Sequence, residues 1–146
     1  MSLLVFPDIN VWLALTLRGH KQHTSAWAWY RGLPKTADLV FCRMTQLGLL
    51  RLLTLEAAAG EYVMNQREAW AAYDRWMVEA ECFFVDEPLG LEGEFRGMSD
   101  AIRPTPQQWA DAYLAAFAAA RSMELVTFDK ALSKRAKRAV LLRSAN

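Results

Sequence analysis

Long hydrophobic runs are missing from this chain. No stretch approaches the ~20 consecutive apolar residues that span a bilayer. Nor does the N-terminus show a basic segment, a long apolar core and a small-residue cleavage site. These absences predict a soluble cytoplasmic protein. Cysteine is scarce: Cys42 and Cys82 each lie inside an apolar run, which predicts buried free thiols in a reducing compartment and no disulfide framework. Histidine is scarcer in effect. His20 and His23 stand three apart, a spacing that suits a metal on a helix, but no cysteine or third ligand stands nearby to make a zinc site. They read as ordinary loop histidines. Acid is absent after Asp129, where the last seventeen residues carry six cations and no carboxylate side chain.

What remains is a globular composition: 146 residues, 53% apolar and 23% charged, enough for one domain (1–146) with a real core. The formal net charge of +1 neither demands nor excludes a nucleic-acid partner, so the distribution of charge decides. Leu3 to Phe6, Leu39 to Cys42, Cys82 to Val85, Glu124 to Phe128 and Ala139 to Leu142 are short, branched or aromatic runs that predict strands. Between them the spacing predicts helices over Ile9–Leu17, from about His23 or Thr24 to Gly32, Met44–Leu55, Gln66–Ala80 and from a Thr105 cap to about Arg121. Thr105-Pro106-Gln107-Gln108 has a capping Thr, Pro at the first helical position and Gln three after the cap. Residues 88–105, with three glycines and two prolines, read as irregular around a short helix at Leu91 to Phe95. Strands alternating with helices throughout argue an α/β fold, a parallel sheet covered on both faces.

Three carboxylates stand out. Asp8 follows the first strand directly, at the carboxyl edge of a sheet, where open α/β folds bind ligands. Taken alone it reads equally as a helix cap. Asp129 repeats the pattern after the fourth strand. Asp111 is the only charge on Trp109–Ala120, a helix apolar on every side and therefore expected to be buried. An unpartnered buried carboxylate costs several kcal/mol, so Asp111 needs a cation or a hydrogen-bond network. Arg51 is a candidate partner for one acid. For all three together a hard divalent ion serves better, and oxygen-only ligands point to Mg²⁺ or Mn²⁺.

Asp8-Ile9-Asn10-Val11-Trp12-Leu13-Ala14-Leu15, Thr45-Gln46-Leu47-Gly48-Leu49-Leu50-Arg51, Ala110-Asp111-Ala112-Tyr113-Leu114-Ala115 and Thr127-Phe128-Asp129-Lys130 occur in that order. Each is weak alone; together, in their strand and helix contexts, they resemble a PIN-domain protein of the VapC type, the toxin ribonuclease of bacterial toxin–antitoxin pairs. The resemblance covers essentially the whole chain. It implies a three-layer α/β/α sandwich with a mainly parallel central sheet, Mg²⁺ or Mn²⁺ in an acidic pocket, hydrolysis of RNA phosphodiester bonds, a cognate antitoxin and a homodimer. By resemblance Asp8, Asp111 and Asp129 are the catalytic, metal-binding acids, with Asn10 and Thr127 supporting them. The family's second acid is commonly Glu where this chain has Gln46. Sequences reading T-Q-x-G resemble a subgroup of such toxins, and loss of the charge predicts weaker metal binding or reliance on RNA phosphates.

Metal-activated water attacking an RNA phosphate follows from that charge arrangement. Lys130, Lys134, Arg135 and Arg138 are the candidate RNA-binding residues, a basic rim beside an acidic centre; the plainer reading of the same run is a solvated helix face. A phosphatase or dehalogenase would want a second Asp where Asn10 stands, and a receiver domain would want an early acidic pair. The alternative from a different class is a degenerate, non-catalytic PIN domain that binds RNA or a protein partner.

Overall fold

Short apolar runs separated by one or more helices fold here into the strands of a single sheet. The structure, a computed structural model, describes residues 3–144. Its strands are β1 (Leu3–Pro7), β2 (Ala37–Phe41), β3 (Phe83–Phe84), β4 (Glu124–Thr127) and β5 (Ala139–Leu141). Its helices are α1 (Ile9–Thr16), α2 (His23–Arg31), α3 (Arg43–Leu53), α4 (Glu56–Ala59), α5 (Gln66–Val78), α6 (Leu91–Met98), α7 (Trp109–Ala120) and α8 (Lys130–Arg135). The sheet order is β3-β2-β1-β4-β5, and every pairing is parallel, with Val5 of β1 in register with Leu39 of β2 and Glu124 of β4.

Side chains alternate across a strand, and both faces of this sheet are covered. Val5, Leu39, Phe41 and Val126 enter one core with α1, α2, α3 and α5. Phe6, Val40 and Leu125 enter the other with Leu91 of α6, Phe117 of α7 and Leu132 of α8. The result is the expected three-layer sandwich. Aromatic stacking fixes both layers to the sheet: Trp12 lies on Phe41 with ring centroids 3.8 Å apart, and Phe6 on Phe117 at 5.2 Å. Cys42 and Cys82 are free and buried, and burial pushes the Cys82 thiol up to about 12.

Several local expectations shift. α2 begins at His23 after Gln22, with no side-chain cap from Thr24. His23 Nδ1 lies 2.7 Å from the Ala14 carbonyl and His20 Nδ1 accepts from the Gln22 N–H, so both histidines serve the chain itself. On α3 the buried positions are Thr45, Gln46, Leu49 and Leu53, and Leu47 turns outward, 65% exposed. On α5 the inward stripe is Ala69, Ala72 and Tyr73, and Trp70 is exposed. Asn65 and Glu68 form the capping box that starts that helix. α6 extends to Met98, three residues beyond the expected Phe95. Thr105 makes no cap: Pro106–Gln108 is a 3₁₀ turn, and α7 starts after it.

Candidate active site at the carboxyl edge of the sheet

From β1 the chain crosses to β2 on one side, while β4 flanks β1 on the other. The strand order therefore reverses between β1 and β4, and a crevice opens beyond their carboxyl ends. Asp8 follows β1 and Asp129 stands two residues past β4, so both carboxylates border that crevice. α7 leads into the start of β4 and runs opposite to it, which brings its first turn, with Asp111, back to the same edge.

Asp8 is buried, 8% exposed, and both its oxygens are engaged. Oδ1 accepts from the Ile9 N–H at 2.7 Å and Oδ2 accepts from the Thr127 hydroxyl at 3.0 Å. Cap and site residue are thus compatible roles for one side chain. Thr127 is fully buried and its Oγ1 also accepts from the Asp129 N–H at 2.9 Å. One hydroxyl ties the two strand ends together. Asp129 is exposed and caps α8, its Oδ1 accepting from the Ala131 N–H (2.8 Å) and the Leu132 N–H (3.3 Å). Oδ2 of Asp129 carries no hydrogen bond among the described residues.

Asp111 differs from expectation in depth. The core of α7 is Ala112 and Leu114 to Ala118; its first turn is open, with Trp109 58% exposed, and Asp111 is half-buried. No hydrogen bond or ion pair holds its carboxylate among the described residues. Burial raises the Asp8 pKa, with the charges of Asp111 and Asp129 adding to the rise against the Thr127 and Ile9 hydrogen bonds. Asp111 is raised as well, first by desolvation and then by Asp129, with Arg135 pulling the other way. The three acids feel one another, and none has a salt-bridge partner: the ion pairs among the described residues are Arg96–Glu92 and Lys137–Glu94. Arg51 is exposed on α3 and pairs with none of them.

No three His, Cys, Asp or Glu side chains among the described residues draw together into a ready-made metal cage. The donor set nevertheless suits a hard divalent cation. It is all oxygen, it leaves Asp111 and one oxygen of Asp129 uncommitted, and like charges crowd it. Water and substrate phosphate would supply the remaining donors.

Gln46 lies in the first turn of α3, buried, and its Oε1 accepts from Arg43 Nη1 at 2.6 Å. Arg43 stacks its guanidinium over Phe84, 4.6 Å from the ring centroid. Thr45, fully buried, accepts from the Cys42 N–H and closes the start of α3. Gly48 has a purpose that the sequence did not disclose. A Cβ there would stand 2.4 Å from Ile9 Cδ1, the residue next to Asp8. Its bare backbone lets α3 press on the start of α1. Asn10 is exposed on α1 and its side chain makes no hydrogen bond among the described residues.

The basic run divides by position. Lys130 opens α8 beside Asp129 and Arg143 follows β5, both exposed at the acidic edge. Lys134 lies exposed in the last turn of α8, away from it. Arg135 is half-buried and holds the Met98 carbonyl (2.8 Å) and Gln108 Oε1 (2.5 Å), joining α8 to the ends of α6 and the turn before α7. Arg138 is at the opposite, amino edge, where its carbonyl accepts from the Leu125 N–H and its guanidinium donates to the Ser122 carbonyl at 3.3 Å. Sequence proximity to Asp129 did not imply spatial proximity, because α8 carries the chain back across the sheet.

The comparisons with known proteins agree with this fold. Residues 5–138 match the PIN domain family model. Ribonuclease VapC41 of Mycobacterium tuberculosis is 42% identical over 135 residues, covering 90% of this chain and 92% of that protein. Among solved structures, the sarcin-ricin loop cleaving toxin VapC20 of M. tuberculosis superposes with a TM-score of 0.63 at 18% identity, over 89% of this chain and 93% of that one. VapBC2 of Rickettsia felis, bound to a DNA fragment from their promoter, does so at 0.65 and 10% identity, over 96% and 99%.

Proposed function

The chain belongs to the PIN-domain family, in its VapC branch, and from that premise we propose that it is the toxin of a toxin–antitoxin pair, an endoribonuclease that hydrolyses RNA phosphodiester bonds with Mg²⁺ or Mn²⁺. One observation supports the reading: Asp8, Asp111 and Asp129, from three distant segments, lie near enough at the strand-order reversal for the charges of Asp111 and Asp129 to raise the Asp8 pKa, and none of the three forms a salt bridge among the described residues. Asp8, Asp111 and Asp129 are the residues that would hold the ion. A divalent cation held there would acidify water and offset charge developing on the phosphate.

The chain's own groups do the rest. Thr127 donates to Asp8 Oδ2 and so fixes which way the carboxylate faces, the outer-shell role that metal sites depend on. The same hydroxyl orients Asp129 through its N–H. Asp111, uncommitted among the described residues, would be free to turn toward such a cation. Lys130 and Arg143, exposed at the same edge, attract the RNA backbone. The antitoxin is a protein partner; the groove of about 560 Å³ between α1, α2 and α5, walled by Trp27, Tyr30 and Trp76, is a surface it would fill. The homodimer and a cytoplasmic location belong to the same reading.

Gln46 favours one second reading, a PIN domain that binds without cutting, since its carbonyl oxygen is held by Arg43 and it brings no charge. Cleavage of a labelled RNA during a Mn²⁺ titration separates the two. The nuclease requires metal-dependent cutting that falls more than about a hundredfold in Asp8→Asn and Asp111→Asn, beyond the usual cost of losing an outer-shell partner. RNA retention with no cutting at any metal concentration leaves the binding module.

A further inference from the structure

A second cavity, of about 710 Å³, lies between the end of α6 and the start of α7. Its wall includes Arg103, Thr105, Trp109 and Arg135, with Asp100 as its one acid. None of the three site aspartates lines it, and its link to them runs through Asp111. Arg135, in the wall, acts on Asp111 electrostatically, and its partner Gln108, also in the wall, stands one turn before Asp111.

The aromatic in this lining is more exposed than Trp27 or Trp70. Trp109 is 58% exposed, and its ring contact is an edge-on approach to Phe95 at 6.0 Å. Arg103 is exposed and makes no hydrogen bond or ion pair among the described residues. Thr105, the cap that was not made, has an uncommitted hydroxyl here, and Pro104 and Pro106 stiffen the wall on either side of it. Arg135, by contrast, is spent on Met98 and Gln108 and keeps the wall in shape.

We propose that this cavity is a subsite for one unpaired nucleotide of the RNA, next to the nucleotide whose phosphate is cut. The base stacks on the Trp109 indole and the adjoining phosphate meets Arg103. An exposed aromatic plane with a free guanidinium and little competing acid is how single strands are held without sequence readout. The volume suits a nucleotide-sized occupant, within the ~300–1,000 Å³ of small-ligand sites. The inference rests on the nuclease reading and adds where the strand runs: from the acids along the first turn of α7, toward α6.

The test is binding of a fluorescein-labelled, mixed-sequence single-stranded RNA octamer to the full-length protein in EDTA, by anisotropy across salt concentrations. Trp109→Ala should weaken binding about tenfold and Trp109→Phe should stay within about threefold. Arg103→Ala should reduce the slope of log affinity against log salt by about one. Both side chains are exposed, so the melting temperatures should not move. Unchanged affinity and slope in Trp109→Ala and Arg103→Ala, or no binding of the octamer, overturns the subsite. So does a Trp109→Ala effect confined to affinity for the antitoxin. Metal-dependent cutting with an unchanged KM in Trp109→Ala removes the subsite and leaves the nuclease; RNA held through Trp109 but never cut does the reverse.

Discussion

Asp8 and Asp129 are written the same way in the sequence, a carboxylate just past an apolar strand and just before a helix. Both cap that helix. Their surroundings then diverge. β1 is the central strand, so Asp8 sits buried between neighbours and spends both oxygens on Ile9 and Thr127. β4 lies one strand nearer the edge, and Asp129 is exposed with one oxygen uncommitted. One local pattern thus gives a rigid buried acid and an open one. Thr127, hydrogen-bonded to both ends, makes them a single device.

The largest expected break of that pairing is chemical. Thr127→Val keeps the shape but strips the hydroxyl from Asp8 and from the Asp129 N–H. Mn²⁺ affinity, followed by calorimetry, should fall about 10- to 100-fold. An unchanged affinity would mean the hydroxyl only closes the core.

Gly48→Ala comes next. Its Cβ meets Ile9 at 2.4 Å, an overpacking expected to cost about 1–3 kcal/mol and to shift the residue beside Asp8. Urea unfolding of Gly48→Ala and of Gly48→Ala with Ile9→Ala checks the cause. The second change should recover part of the loss, and additivity of the two would sink the explanation.

Of similar size is the contrast between capping alone and capping plus burial. Asp129→Ala removes a cap, worth about 1 kcal/mol. Asp8→Ala removes a cap and also leaves the buried Thr127 hydroxyl without its acceptor, for about 1–3 kcal/mol more. Equal losses of stability would contradict the difference in depth.

The mildest test is pH. The folded-state pKa values of Asp8 and Asp111 stand above the ordinary carboxylate value of 3.8, so their charged forms are disfavoured in the fold. Their contribution to stability is full below that value and is lost as pH rises through the folded pKa values. Metal-free protein should therefore melt lower at neutral pH than in mild acid as far as these groups decide it. Asp111→Asn should flatten the slope, and Mn²⁺ at pH 7 should raise the melting temperature by mass action.

Much of the layout was legible from periodicity. Short apolar runs alternating with helical stripes located the strands and long helices, and Asp8, Asp111 and Asp129 were each visible as acids in apolar company. Periodicity also misled where it counted leucines and tryptophans without direction: Leu47 and Trp70 point to solvent, because neighbouring helices, not residue type, define which side of a helix is inside. The Pro106 signal at the start of α7 was read as a capped α-helix, yet Thr105 makes no cap there and a 3₁₀ turn intervenes.

By itself the sequence determined the element types, the parallel character of the sheet and which residues end its strands, since these follow from local spacing and burial of apolar side chains. Only tertiary structure decided the order β3-β2-β1-β4-β5, and with it which carboxylates share a crevice and which arginines do not. It also decided that Thr127 bridges two strand ends and that Gly48 gives way to Ile9. Strand order and helix direction are set by contacts between residues far apart in the chain, and no local pattern encodes them.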